Sequence, residues 1–151
     1  MITMQVEKML DCKDELDPIF EDHYDELTLH KEFVRLSCHW DDYKKVEDSG
    51  MLFFLTARDD GKLIGYSIFF VRQHIHYKEL KAASNDLLFL DKEYRKGMTG
   101  VKLIKKSEQE LKKIGVQKIT WHAKQSNYLG ELLMVLGYGV EDILFGKILG
   151  D

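Results

Sequence analysis

Six consecutive residues, Arg95-Lys96-Gly97-Met98-Thr99-Gly100, carry the strongest chemical signal in the chain. Two basic side chains precede two glycines, and from Gly100 onward apolar residues recur at helical spacing. The first N–H groups of a helix have no internal partner, and the aligned peptide dipoles leave partial positive charge at the same end. A phosphate ester satisfies both. Glycine lets the backbone approach the phosphate oxygens, and Arg95 and Lys96 would add mobile positive charge. A plain turn and helix cap fits the same residues, and the spacings of a P-loop and of a three-glycine dinucleotide loop are both absent. His74 and His76 could present two imidazoles on one strand face, but no Cys or carboxylate follows at metal spacing, so no metal is expected. With Ile75 and Tyr77 they read as a turn in preference to an acceptor pocket. Cys12 and Cys38 read as reduced thiols, and Cys38-His39 is no catalytic pair because adjacent side chains rarely face each other.

The elements that must position this loop follow from periodicity. Gly100, Leu103, Ile104, Ser107, Leu111 and Ile114 form one stripe of a helix running to Gly115. Its other face is solvated and basic, with Glu108 and Lys112 in the favourable i, i+4 order. A strand is expected over residues 82–90, with Ser84, Asp86, Leu88 and Leu90 on one face. Residues 51–58 and 62–71 form two antiparallel strands joined through Asp60-Gly61. Asp17-Pro18 marks the start of a helix to about Leu29, and a shorter helix covers residues 40–46. Phe20, Tyr24, Phe33 and Trp40 in these helices read as core in preference to an acceptor wall. Residues 117–122 read as a strand, 127–136 as a helix and 137–149 as a final strand pair or bent strand. The order α-α-β-β-β-α-β-α-β, without repeats or a linker, predicts one α/β domain over residues 1–151.

Composition narrows the function. The chain has 151 residues, 22 Lys and Arg against 26 Asp and Glu, and a net charge of −4. That balance argues against a nucleic-acid partner held through its backbone charge. The longest apolar runs, residues 51–55 and 132–136, fall far short of the roughly 18 residues a membrane helix needs. With no secretory signal pattern at the start, the expected location is cytoplasmic. Acidic residues crowd the first 60 positions and lysines gather between 92 and 124, an asymmetry that suits an anionic ligand on the C-terminal half.

The stretch from Leu88 through Arg95-Lys96-Gly97-Met98-Thr99-Gly100 to Leu103 resembles the GCN5-related N-acetyltransferase (GNAT) superfamily, whose members carry an Arg/Gln-x-x-Gly-x-Gly/Ala loop between the fourth strand and the third helix. The resemblance covers most of the chain and points to a small bacterial or phage-type member. It implies a mixed central sheet flanked by about four helices, with splayed parallel strands forming a cofactor cleft. The match departs from the pattern in three places. The first glycine falls one position early, leaving Met98 at the usual middle glycine. The proline often found at Lys92 is missing. The tyrosine that many members place four residues before the glycine of a Gly-Phe/Tyr motif is Leu133 here.

The resemblance implies acetyl-coenzyme A (acetyl-CoA) as cofactor, held by Leu88, Phe89, Leu90, Arg95, Lys96, Gly97, Met98, Thr99, Gly100 and Asn127. It implies an N-acetyltransferase acting on a primary amine of a small-molecule or protein acceptor, or a catalytically weak member serving as a binding module. An amine protonated at neutral pH must lose a proton before it attacks. Asp86 is the first candidate base and His122 the second, while Tyr128 is the candidate acid in place of Leu133. The acidic N-terminal helices could attract a basic acceptor, and final strands in this fold suggest a homodimer.

Overall fold

The structure, a computed structural model describing residues 1–150, is built on one five-stranded sheet in the order β1-β2-β3-β4-β5. Strands β1 (Ile2–Val6), β2 (Leu52–Asp59), β3 (Lys62–Gln73) and β4 (Lys81–Leu90) run antiparallel to their neighbours, and β5 (Lys118–Thr120) runs parallel to β4. Helices α1 (Lys13–Leu27), α2 (Trp40–Asp48), α3 (Thr99–Lys113) and α4 (Leu129–Val135) complete the mixed α/β fold.

Each face of the sheet buries its own cluster. On one, Phe53, Leu55, Phe69 and Val71 pack against Leu103 and Leu111 of α3. On the other, Phe54, Tyr66, Ile68 and Phe89 pack against Leu16 and Phe20 of α1. The α3 stripe is the one its periodicity predicts, and Ser107 is tolerated within it because its hydroxyl meets that of Ser67 at 2.7 Å. The β2–β3 turn places Asp60 at φ 45 and Gly61 at φ 89, the left-handed pair that a two-residue hairpin requires.

The strands alternate sides until a bulge breaks the count. Opposite β4, Ile68 pairs with Leu87 and Phe69 with Asn85, so Asp86 is an extra residue with no partner on β3. The bulge inverts the parity of the strand. Ala83 reaches the α3 face before it, Leu88 and Leu90 reach that face after it, and Leu87 and Phe89 turn to α1. Asp86 therefore does not share a face with Leu88 and Leu90, as strict alternation predicts.

Several boundaries differ from the sequence expectation. β1 extends the sheet by a strand that the reading omits, although Ile2, Met4 and Val6 alternate with Thr3 and Gln5. Helix α1 begins at Lys13, so Pro18 lies inside it instead of opening it. Burial of Met9, Cys12 and Leu16 draws the earlier turn onto the core and outweighs the missing proline N–H. Phe33 is exposed, not core. Glu108 accepts from the Tyr138 hydroxyl, and the i, i+4 pair that forms on α3 is Lys106 with Glu110. No strand forms over residues 137–149, whose apolar side chains are largely exposed. Among the described residues no helix is long and apolar enough to cross a membrane.

Candidate functional site

The parallel pairing of β4 with β5 covers only Ala82 with Lys118, Ala83 with Ile119 and Ser84 with Thr120. Beyond it β4 continues for six residues to Leu90 while β5 has ended, so the two strands part. The backbone left over can be assigned. Asp91 N–H donates to Ile64 O at 2.8 Å, and Gly65 lies opposite Leu90. In an antiparallel ladder the neighbours of a hydrogen-bonded pair point the other way. The N–H and C=O of Leu88 and Leu90 thus face the gap, and those of Phe89 face β3. Phe89 keeps only its ring near the site, packed beside His23.

The loop of residues 95–100 closes one end of this gap. Gly97 sits at φ 97, a left-handed turn that other residues rarely adopt. The first intrahelical bond of α3 runs from Lys102 N–H to Met98 O, which leaves the N–H groups of Thr99, Gly100 and Val101 without an acceptor in the helix. Arg95, expected from the sequence to supply mobile charge, is held three ways. Its Nε donates to Leu90 O at 2.6 Å, its two terminal nitrogens grip the Glu26 carboxylate, and its guanidinium lies 5.6 Å above the Phe89 ring. The guanidinium hydrogen bonds keep the Glu26 carboxyl below its ordinary range. Arg95 therefore braces the loop between β4 and α1, and Lys96 is its exposed cation.

Asp86, at the bulge, faces the opposite side of the sheet from α3. Tyr43 of α2 donates its hydroxyl to Asp86 Oδ2 at 3.3 Å. Burial raises the Asp86 carboxyl above the usual carboxylate range, against the lowering by Tyr43 and by nearby His122. The same burial, with Asp86 beside it, pushes the Tyr43 phenol well up. His122 lies just past the end of β5 with Nδ1 2.7 Å from Asn85 O. A carbonyl only accepts, so Nδ1 carries the proton and Nε2 keeps the basic lone pair. The bulge and the end of β5 thus bring Asp86 and His122 together from 36 positions apart, with Tyr43 as a third member that sequence reasoning missed.

A second missed pair lies beneath Phe89. His23 Nδ1 and the Tyr66 hydroxyl are 2.7 Å apart and buried. Desolvation lowers the His23 pKa to about 4, with Arg95 and Lys124 acting in the same sense and Glu26 against. Only the apolar spacing of α1, which points His23 inward with Leu16 and Phe20, hints at it. Leu133 is buried in α4, whereas Tyr128 is 82% exposed at the start of that helix. Asn127 stands just before the same helix, its Oδ1 accepting from Leu129 N–H at 3.1 Å. His74, His76 and Tyr77 form the exposed β3–β4 turn.

A sheet whose fourth strand parts from a short parallel fifth beside a glycine-led helix defines the acetyltransferase fold of the GNAT type. The model of the acetyltransferase (GNAT) family matches residues 11–129, and the chain belongs to that family. Solved structures agree on the fold. Ribosomal-protein-alanine N-acetyltransferase from Brucella melitensis biovar Abortus 2308 superposes with a TM-score of 0.73 at 18% identity, covering 97% of each chain. An aminoglycoside acetyltransferase from an uncultured soil metagenomic sample, in complex with trehalose, gives 0.74 at 16% identity over 99% of this chain and 95% of the other. Glucosamine-6-phosphate N-acetyltransferase from Arabidopsis thaliana gives 0.72 at 14% identity over 99% of both. Among curated protein sequences, none matches this chain significantly.

Proposed function

We propose that this chain, taken as one acyl-CoA-binding unit, transfers the acetyl group of acetyl-CoA to a primary amine of a small-molecule or protein acceptor. The observation that supports this reading most is the parting of β4 from β5 next to the unpaired amides of α3. The residues present fit the cofactor. A Cβ at Gly100 would meet Leu90 Cδ2 at 3.8 Å, an ordinary van der Waals contact, so the chain's own packing does not require a glycine there. The amides of Thr99 and Gly100, with those of Gly97 and Met98, would hold the pyrophosphate, and Lys96 would add charge. Arg95 would serve by fixing the loop. The backbone groups of Leu88 and the Leu90 N–H would take the pantetheine arm, Leu90 O being held by Arg95, Phe89 would support it from beneath, and the Asn127 amide nitrogen would reach it from the start of α4.

Bound acetyl-CoA supplies an acetyl group already activated as a thioester. What the chain adds is alignment and proton handling. The Leu88 N–H, directed into the gap, would be the donor for charge growing on the acetyl oxygen. Asp86 Oδ takes the proton of the acceptor amine, with Tyr43 steadying the carboxylate and His122 Nε2 as the second basic atom. An acceptor would approach from the α1–α2 side, where Asp86 and Tyr43 lie. The related folds carry names that include a ribosomal-protein alanine, an aminoglycoside and glucosamine 6-phosphate, so the acceptor class extends from proteins to sugars.

One observation favours a second reading, a binding module with weak or no catalysis. Leu133 offers no hydroxyl, and Tyr128 points to the surface. Two measurements decide. A rise in melting temperature with acetyl-CoA is expected for both readings, and Gly100→Val should abolish it while leaving the unliganded melting temperature near that of the wild type. Thiol release across a panel of aminoglycosides, polyamines and peptide amines is expected only for the enzyme. No melting shift with any acyl-CoA would remove both.

A further inference from the structure

One buried side chain beside the gap has a hydrogen-bonding atom that the fold leaves unused. His23 is 8% exposed, and the fully buried Tyr66 brings its hydroxyl to 2.7 Å from His23 Nδ1. That hydroxyl meets no other partner, so its proton goes to Nδ1; the reverse assignment would strand a buried O–H. Burial keeps the imidazole neutral at pH 7, so its single proton sits on Nε2. Nε2 is thus a donor, directed away from Tyr66, and nothing in the chain accepts from it. Among the described residues the one fully buried side-chain nitrogen or oxygen without a partner is Trp121 Nε1, so His23 Nε2 opens to solvent.

The register of the parallel pair shows what stands opposite. Ser84 pairs with Thr120, so continuing the count sets Lys124 across the gap from Leu88, one residue short of Phe89. The chain holds this course past the end of β5, since His122 is still fastened to Asn85 O. The Phe89 ring in turn lies 5.3 Å from that of His23. The charge of Lys124 is felt at His23, and among the described residues it has no carboxylate partner. Glu26, the anion nearby, is already engaged by Arg95 and Lys92. A free donor beneath β4 and a free cation beyond β5 therefore border one opening. We propose that His23 Nε2–H and Lys124 Nζ form an anion subsite on the acceptor side, so that the acceptor carries a carboxylate or phosphate group besides its amine. The place of the amine, at Asp86, rests on the acetyl-transfer reading. From Asp86 to Phe89 the strand advances three residues, which sets the two groups of the acceptor roughly 10 Å apart. Lys124 selects the charge, and the imidazole N–H, fixed by Tyr66, directs one oxygen.

The test titrates the full chain by calorimetry, with and without coenzyme A, so that binding is read apart from turnover. The probes are aminohexanol, aminohexanoate and aminohexyl phosphate, each with its amine at the far end of the chain. At least one anionic probe should bind roughly tenfold or more tightly than the alcohol, and the better of the two tells carboxylate from phosphate. Lys124→Gln, at an exposed position, should bring that probe down to near the affinity of the alcohol. In the imidazole nitrogen NMR spectrum the His23 Nε2 signal should shift with the anionic probe and not with the alcohol, a change that a purely structural histidine would not show. Equal affinities for all three probes, a preference that survives Lys124→Gln, or an unmoved Nε2 signal overturns the inference. Thiol release separates it from the reading it extends: an anion preference in binding without turnover of any amine keeps the subsite and removes acetyl transfer, whereas turnover with equal affinities does the reverse.

Discussion

Burial lifts the Asp86 carboxyl above the ordinary carboxylate range, and the Tyr43 hydroxyl, donating to it at 3.3 Å, pulls it back. The sign of the pH dependence follows. The base must be deprotonated to accept a proton, so acetyl transfer should fall as pH drops through a pKa above that of a free aspartate. Asp86→Asn should remove this acid limb and lower kcat by about 10² to 10⁴-fold, with the melting shift by acetyl-CoA retained. Tyr43→Phe removes the hydrogen bond that favours the charged carboxylate. Its acid limb should therefore move to higher pH, with the high-pH plateau much less affected. Both are read from thiol-release rates between pH 5 and 9. A Tyr43→Phe limb that moves to lower pH would dissociate Asp86 from the profile and leave His122 Nε2 as the base.

At the scale of elements, β3 approaches β4 most closely at Gly65, which lies opposite Leu90 at the cleft end of β4. A Cβ at Gly65 would stand 2.7 Å from Phe89 O and 3.1 Å from Leu90 Cα, contacts with backbone that no side-chain rotation relieves. Gly65→Ala should cost about 1–3 kcal/mol by urea unfolding. It should also weaken acetyl-CoA binding by displacing Leu90, whereas Gly100→Ala, whose Cβ would make only an ordinary contact with Leu90 Cδ2 at 3.8 Å, should leave stability nearly unchanged. The brace at Arg95 gives a companion prediction: Glu26→Gln leaves one charge unmatched and should loosen the loop, seen as faster amide exchange at residues 96–100. Elements such as α3 and the Asp60-Gly61 hairpin were legible because their signals are local, a 3.6-residue stripe and a dipeptide with fixed turn chemistry. The bulge was not. Whether β4 holds an extra residue depends on its register with β3, so the side on which Asp86 emerges is absent from the local pattern. Arg95 was read as free for the same reason, since its partner Glu26 lies 69 residues away. The unformed final strand shows the converse: residues 137–149 have strand composition, but β5 offers a ladder of three residues and the segment outruns it.

Across the whole molecule, the proposed function divides between the two faces of the sheet: α3 would carry the anion end of the cleft, and α1 and α2 wall the side on which Asp86 and Tyr43 emerge. The α1 wall includes an ionisable group in its core, and this makes stability depend on pH. His23 is buried against Phe89 and Tyr66, and desolvation holds its pKa at about 4, below the 6.5 of an exposed histidine. The folded state thus resists a proton that the unfolded chain accepts readily. Below about pH 6.5 the unfolded state binds more protons, so stability declines as pH falls and the loss is complete near the folded pKa of about 4. Two and a half units correspond to on the order of 3 kcal/mol at full extent. Carboxylates held down by ion pairs, Glu7 and Glu15 with Arg58 and Glu26 with Arg95, add losses at lower pH. His23→Gln keeps a hydrogen-bonding group toward Tyr66 without a titrating proton. Urea unfolding followed from pH 7 to 4.5 should therefore show a steep decline for wild type and a much flatter one for the variant, even if the variant is less stable at pH 7. Parallel declines would mean that the buried imidazole is protonated in the folded state, and that the α1 wall opens to water at mildly acid pH.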